Sequence, residues 1–280
     1  LVECVINISE GRDRQAIDAV SAAAGDALLD IHSDHDHNRS VLTLVGEEHE
    51  VDRAARSVAQ VTVASLDMTE HSGVHPRIGA LDVVPWVAVE RRRDGAFEDG
   101  PIQDAVVARN RFAHWAGDEL SLPCFLYGPE RSLPEVRRRA WVDLEPDTGP
   151  RRAHPSAGAT AVGARPILVA YNLWLADADL GTARAVASSI RGPSVRSLGL
   201  PVGQGVQVSC NLIAPSQVGP GAVFDAVASQ VEVQRAELVG LLPASVLDRE
   251  PQHRWMELGL DRSKTIEARL EMGGPRWGKV

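Results

Sequence analysis

Strand-like and helix-like runs alternate along this chain in the order β-α-β-β-α-β, and the order occurs twice. The first series starts with VECVINI (2–8), β-rich and apolar, and SEGRD then turns the chain into AIDAVSAAAG, where Ala, Ile and Val recur at helical spacing. ALLDIHSD and RSVLTLVG follow as an antiparallel pair joined near residues 34–38. A helix is predicted over about 48–67, then a buried strand over 77–89 (RIGALDVVPWVAV) with a break at Pro85, since proline has no N–H to give to a central ladder. The second series begins at 164 with ARPILVAYNLWL as a strand. It continues with ADADLGTARAVASSI as a helix, VRSLGL and VQVSCNLIAP as strands, AVFDAVASQV as a helix, AELVGLLP as a strand, and a helical tail ending near Leu270. This is the split-βαβ, or ferredoxin-like, order. It predicts an α/β (α+β) protein of two ferredoxin-like sandwich subdomains with sheets facing each other, spanning 1–160 and 161–280.

Between the two series lie a helix (PIQDAVVARNRFAHWAGDEL), a short strand (CFLYG) and a stretch from about 129 to 160 rich in Pro, Gly and Arg. A brief helical signal near 133–140 interrupts that stretch, which otherwise reads as the linker and as the longest segment available for function.

The 280 residues carry a net charge of −9, and their short Arg runs, 91–93 and 137–139, lack interleaved aromatics, so nucleic acid and membrane surfaces are poor partners. Cys4, Cys124 and Cys210 are far apart without metal-type spacing, which predicts a reducing compartment, the cytoplasm, and no disulfide framework. No apolar stretch reaches the ~20 residues a bilayer span needs. The opening LVECVINISEGR lacks a basic n-region and reads as a first strand, not as a signal peptide.

Three segments hold residues suited to chemistry. HSGVHPRIGALD (71–82) has two histidines four apart, but Gly73 and Pro76 argue against a helix presenting them as metal ligands. His75 stands immediately before Pro76, which restricts its backbone, and serves either as an acid/base or as a structural cap on a turn. DIHSDHDHNRS (30–40) mixes three histidines with three aspartates. Strand alternation would send His32, Asp34 and Asp36 to one face and His35 and His37 to the other, so it is a metal site or a solvated turn. Arg39, just beyond, is either a carboxylate clamp or a surface charge. In DTGPRRAHPSAGAT (147–160), glycines and prolines frame Arg151, Arg152 and His154. The backbone there can approach a planar heterocycle or an anion, or the segment is an exposed linker; without Gly-Lys-Ser/Thr it is no P-loop.

ECVINISEG (3–11), NRSV (38–41), HSGVHPRIGALDVVPW (71–86), FLYG (125–128), PDTGP (146–150), HPSAGATAVGARPILVAYNLWL (154–175), VQVSCNL (206–212) and ELVGLLP (237–243) resemble, in order, glutamate formimidoyltransferase, the transferase half of formimidoyltransferase-cyclodeaminase. The resemblance implies a homodimeric enzyme of histidine breakdown and one-carbon metabolism, with two α/β subdomains, a folate-lined tunnel between them, and no cyclodeaminase domain in this chain. It implies His75 as the catalytic histidine and a folate-binding stretch formed by Gly149, Pro150, Arg151, Arg152, Ala153, His154, Pro155, Ser156, Ala157 and Gly158. The expected reaction moves the formimino group of N-formimino-L-glutamate to tetrahydrofolate, a co-substrate, giving 5-formimidoyltetrahydrofolate and glutamate with neither metal nor redox cofactor. By placement, Arg39 and Arg77 are candidates for the donor's two carboxylates, with Asn7 and Ser9 as neutral partners. The turn that reads Asp-x-Asp-x-Gly in the family is DIHSD here, with His32, and Trp174 replaces an Asn in the strand after YN. Rival readings are an N-formyl-glutamate/5-formyltetrahydrofolate formyltransferase, a metal-dependent hydrolase using the His32–His37 cluster, and a non-catalytic folate-binding protein.

Overall fold

A computed structural model describes residues 1–74 and 76–273. Two compact units divide the chain: Leu1–Glu90 with Asp99–Arg165, and Arg91–Glu98 with Pro166–Met272.

The first unit opens with β1 (Val2–Ile8), α1 (Arg14–Ala23), β2 (Leu28–Asp34), β3 (Arg39–Gly46), α2 (Glu48–Ser65) and β4 (Leu81–Arg91). Asp13 starts α1 by accepting the N–H groups of Gln15 and Ala16, which have no partner inside the helix. A capping box between Glu47 and Glu50 starts α2. Its Val51, Ala55, Val58 and Ala59, at helical spacing, pack on Cys4, Ile6, Ile8, Leu42 and Leu44, which point to one face of β1 and β3. After the short strand β5 (Phe97–Asp99) come α3 (Ile102–Glu119), β6 (Cys124–Tyr127), α4 (Leu133–Arg139) and β7 (Thr160–Ala164). The strands run in the order β2-β3-β1-β4-β7-β6. The first four pair antiparallel, as the split-βαβ reading requires, while β7 lies parallel between β4 and β6.

Three expectations need correction here. Pro85 does not break its strand: β4 continues to Arg91, and the register with β1 is the same on both sides of the proline, Cys4 opposite Trp86 and Asn7 opposite Val83. Proline costs the ladder a donor, but β7 pairs along the other edge, with Gly163 opposite Pro85. The stretch 129–160 is also not a linker. Its end enters β7, a buried strand of this first sheet, so ARPILVAYNLWL is not a single strand. Val136 of α4 packs with Val83, Phe125, Tyr127 and Ala161, which point away from the main helical layer.

The second unit consists of β8 (Val169–Leu175), α5 (Leu180–Ser189), β9 (Val195–Val202), β10 (Gly205–Leu212), α6 (Pro220–Ala228), β11 (Val233–Val239), α7 (Ala244–Leu247) and α8 (Ile266–Glu271). Its sheet has the order β11-β8-β10-β9, the arrangement of β4-β1-β3-β2 in the first unit, and every pair is antiparallel. Alternate residues Val169, Tyr171, Leu173 and Leu175 face the apolar side of the helices, and Tyr171 donates its hydroxyl to the Leu258 carbonyl at 2.8 Å. The Glu267 carboxylate accepts the N–H groups of Phe97 and Ala244 at 2.9 and 2.8 Å, fastening the 91–98 excursion into this unit. Cys4, Cys124 and Cys210 are free and buried. Among the described residues no helix is long and apolar enough to cross a membrane.

Candidate active site

Three loops of the first unit gather at one end of its sheet: the exit of β1, the turn between β2 and β3, and the long connection from α2 to β4. Ser9 fixes the first to the third, its N–H donating to the Ala80 carbonyl and its hydroxyl to the Gly79 carbonyl, both at 2.8 Å. Asn7 is two residues back on β1, opposite Val41 and Val83, and its side-chain amide donates to the Val5 carbonyl at 3.1 Å. Strand alternation puts Asn7 on the face away from Ile6 and Ile8. Arg39 begins β3, across from Asp34.

Arg77 reaches back from the long connection to the turn, donating to the His37 carbonyl at 2.9 Å and the Asn38 carbonyl at 3.3 Å. Its Nη1 also lies 2.7 Å from Nδ1 of His71. Burial, reinforced by the Arg77 charge, holds the His71 imidazole below its ordinary pKa, so at neutral pH the ring is uncharged and accepts from the guanidinium. Burial likewise lowers the pKa of Arg39 and of Arg77, while Asp34 and Asp82 pull Arg39 back up and Asp82 does so for Arg77. A guanidinium remains charged at any ordinary pH. Arg39, Arg77 and Arg137 thus form a cationic group around Asp82, a buried carboxylate that pairs with Arg137 at 2.7 Å and accepts the Ile78 N–H at 2.8 Å. Sequence reasoning named Arg39 and Arg77 but missed Asp82 and Arg137, which are 55 residues apart and carry no local signal of pairing.

His75 lies outside the described residues. Its flanks do not, and they join the 149–158 stretch edge to edge. Met68 donates to the Ser156 carbonyl and Ala80 to the Ala157 carbonyl, at 2.8 and 2.9 Å, and Gly79 forms a bridge with Gly158. Within the stretch, His154 closes a tight loop: its N–H donates to the Gly158 carbonyl at 2.7 Å, and its Nδ1 accepts the Ala157 N–H at 3.1 Å. Ala157 is buried, Gly149, Arg151, Arg152, Ala153 and Pro155 are exposed, and Pro150, His154, Ser156 and Gly158 are half-buried. Arg151 makes a surface pair with Glu145 at 3.3 Å. An open cavity of about 470 Å³ lies beside these loops, lined in part by Glu10, Arg12, Asn38, Asp67, His71 and Ser72.

The expected alternation across residues 30–37 is corrected by the turn. Strand β2 stops at Asp34, His37 is buried in the turn with its N–H donating to the Asp34 carboxylate at 2.7 Å, and His35 is exposed. Among the described residues no group of three or more His, Cys, Asp or Glu side chains is arranged to hold a metal ion. His32 is half-buried on β2, opposite Val41. Trp174, in the second unit, is nearly buried, with the Arg235 guanidinium 3.5 Å from its ring centroid.

Comparison with known proteins gives these loops a context. Residues 1–165 match the family model described as "Formiminotransferase domain, N-terminal subdomain". The chain is 34% identical over 278 residues to the glutamate formimidoyltransferase of Streptococcus pyogenes serotype M1, covering 88% of this chain and 90% of that relative. It is 30% identical over 306 residues to the glutamate formimidoyltransferase of Thermoplasma acidophilum, covering 97% of each. The formimidoyltransferase-cyclodeaminase of Sus scrofa is 33% identical over 284 residues, and the match spans about half (51%) of that longer protein.

Proposed function

This chain belongs to the formiminotransferase family, and from that premise we propose that it transfers the formimino group of N-formimino-L-glutamate to tetrahydrofolate, with His75 moving the proton. One observation within the first unit carries the reading: the flanks of His75 are bonded directly to the 149–158 stretch that the family resemblance assigns to folate.

The chemistry sets what the protein must supply. A bond forms from N5 of tetrahydrofolate to the formimino carbon, and the bond from that carbon to the glutamate nitrogen breaks. N5 loses a proton and the departing nitrogen gains one. A single imidazole with a pKa near ~6.5 takes the first proton and returns it to the second nitrogen, work that contributes about 10²- to 10⁴-fold in rate. Holding donor and acceptor side by side contributes at least as much.

The residues present fit both substrates. Arg39, Arg77 and Arg137 gather around Asp82, with Asp34 also acting on Arg39, so three guanidinium groups meet two carboxylates and the group keeps a net positive charge suited to the donor's carboxylates. Asn7 lies on the same sheet face, and Ser9 holds the loop through Gly79 and Ala80. At 149–158, two exposed guanidinium groups, Arg151 and Arg152, and an exposed backbone are suited to a planar ring with an anionic tail. Under this reading the enzyme works in the cytoplasm as a homodimer.

The test is to mix the protein with tetrahydrofolate and, separately, N-formimino-L-glutamate or N-formyl-L-glutamate, following the folate spectrum. Formation of 5-formimidoyltetrahydrofolate with the first donor alone supports the reading. Product only with the formyl donor, or with neither, rejects it.

A further inference from the structure

Asn38 occupies the end of the β2–β3 turn with φ 48° and is only 6% exposed. Few residues other than glycine accept that backbone geometry, and asparagine is among them. Both ends of its side chain are used. Oδ1 accepts the N–H of Gly11 from the β1 exit, and Nδ2 donates to the carbonyl of Ser72 in the long connection, each at 2.9 Å. Its own carbonyl accepts from Arg77 at 3.3 Å. Between these contacts the connection passes so close to the turn that a β-carbon on Gly73 would fall 2.5 Å from the His37 carbonyl oxygen and 3.0 Å from Cβ of Asn38. The connection is therefore fastened to one turn at two points that flank position 75, at Ser72 before it and at Arg77 after it. Asn38 supplies one of those fastenings with its side chain and another with its carbonyl.

We infer that Asn38 is a positioning residue for formimidoyl transfer, fixing the His75 segment against the β1 exit without touching the reacting atoms. The inference rests on the function proposed above. A hydrogen bond of this kind contributes only modestly to stability, because folding exchanges it for bonds to water. Misplacing a reacting group by about 1 Å costs rate on the order of 10²-fold. Loss of the Asn38 amide should therefore appear in turnover well before it appears in folding.

Two variants of the 280-residue chain separate the outcomes, with His75→Ala as control. Asn38→Gly keeps the backbone angle without strain and deletes both side-chain bonds. Asn38→Asp keeps the acceptor for Gly11 but sets a carboxylate oxygen against the Ser72 carbonyl. Both should lower kcat by roughly 10- to 100-fold while leaving KM for tetrahydrofolate near the wild-type value. Amide hydrogen exchange should quicken across 71–79 and not across 149–158. Wild-type kcat in either variant, alongside an inactive His75→Ala, overturns the inference and leaves the proposed function standing. A kcat loss matched by an equal rise in folate KM and faster exchange throughout the first unit also overturns it, because the role would then be merely structural. Turnover that survives His75→Ala removes the proposed function and this inference together. Should Asn38→Gly fail to fold, Asn38→Asp decides alone, since it retains the Gly11 bond.

Discussion

Gly79 and Gly158 meet as a single antiparallel bridge, and neither position has room for a β-carbon. One on Gly79 would sit 2.0 Å from the Ala159 carbonyl oxygen; one on Gly158, where φ is +72°, would sit 2.6 Å from the Ile78 carbonyl oxygen. The obstructing atoms are backbone, so no rotamer change relieves the contact. This bridge joins the connection from α2 to β4 to the 149–158 stretch, which the family resemblance links to folate.

Gly79→Ala should therefore cost about 1–3 kcal/mol or more, as overpacking against fixed backbone does. Gly158→Ala should cost a similar amount through strain at positive φ together with the clash. Denaturant melts of the two single variants check this. The folate KM should rise in both, because either change pushes the two segments apart.

The Asp82–Arg137 pair should behave as a buried ion pair. Asp82 is 2% exposed, and Arg137→Met leaves its charge without that partner, a loss typically of about 3–5 kcal/mol. Adding Asp82→Asn should recover part of the loss, since the amide oxygen still accepts the Ile78 N–H and no buried carboxylate is left without Arg137, although Arg39 and Arg77 lose a compensating charge. A double-mutant cycle measures the coupling, and additive losses would show that the pair is not a unit.

Glu3 should make the first unit more stable in mild acid. Burial pushes its carboxyl up to about 6, although Arg165 opposes the rise. Between its ordinary value of 4.5 and about 6 the native state binds the proton and the unfolded chain does not, so stability falls as pH rises through that window, by roughly 2 kcal/mol. Glu3→Gln should raise Tm at pH 7.5 and leave it nearly unchanged at pH 4.5.

His71 should act in the opposite sense. Burial and Arg77 hold its pKa below the ordinary value of 6.5. As pH falls below that value the unfolded chain takes up a proton before the folded one does, so stability drops. The new charge would also face the Arg77 guanidinium. His71→Gln should flatten the stability profile below pH 6.5, as thermal melts across pH 5–7.5 would reveal.

The sheet architecture was legible because composition, period and turn chemistry agree: the β-rich apolar run VECVINI, helical spacing in α2, and polar residues marking the β2–β3 connection. Thr160–Ala164 escaped because five small, buried residues show no alternation, and only parallel pairing to β4 and β6 makes them a strand. Pro85 misled for a related reason: a missing donor matters to one neighbour, whereas the strand has two. The segments of the candidate site were visible as Gly-, Pro- and His-rich blocks. Their joining was not, because the bonds linking 68–80 to 156–158 run between backbone groups and leave no side-chain signature. Asn38 was visible as a turn residue, but its grip on Gly11 and Ser72 depends on loops distant in sequence.

The most direct test of the central claim is the initial rate of formimino transfer from N-formimino-L-glutamate to tetrahydrofolate by wild type and His75→Ala, with tetrahydrofolate binding measured on the same preparations. The account predicts that the variant binds folate and melts like wild type yet loses at least about 10²-fold in kcat. A variant that turns over at close to the wild-type rate would contradict it.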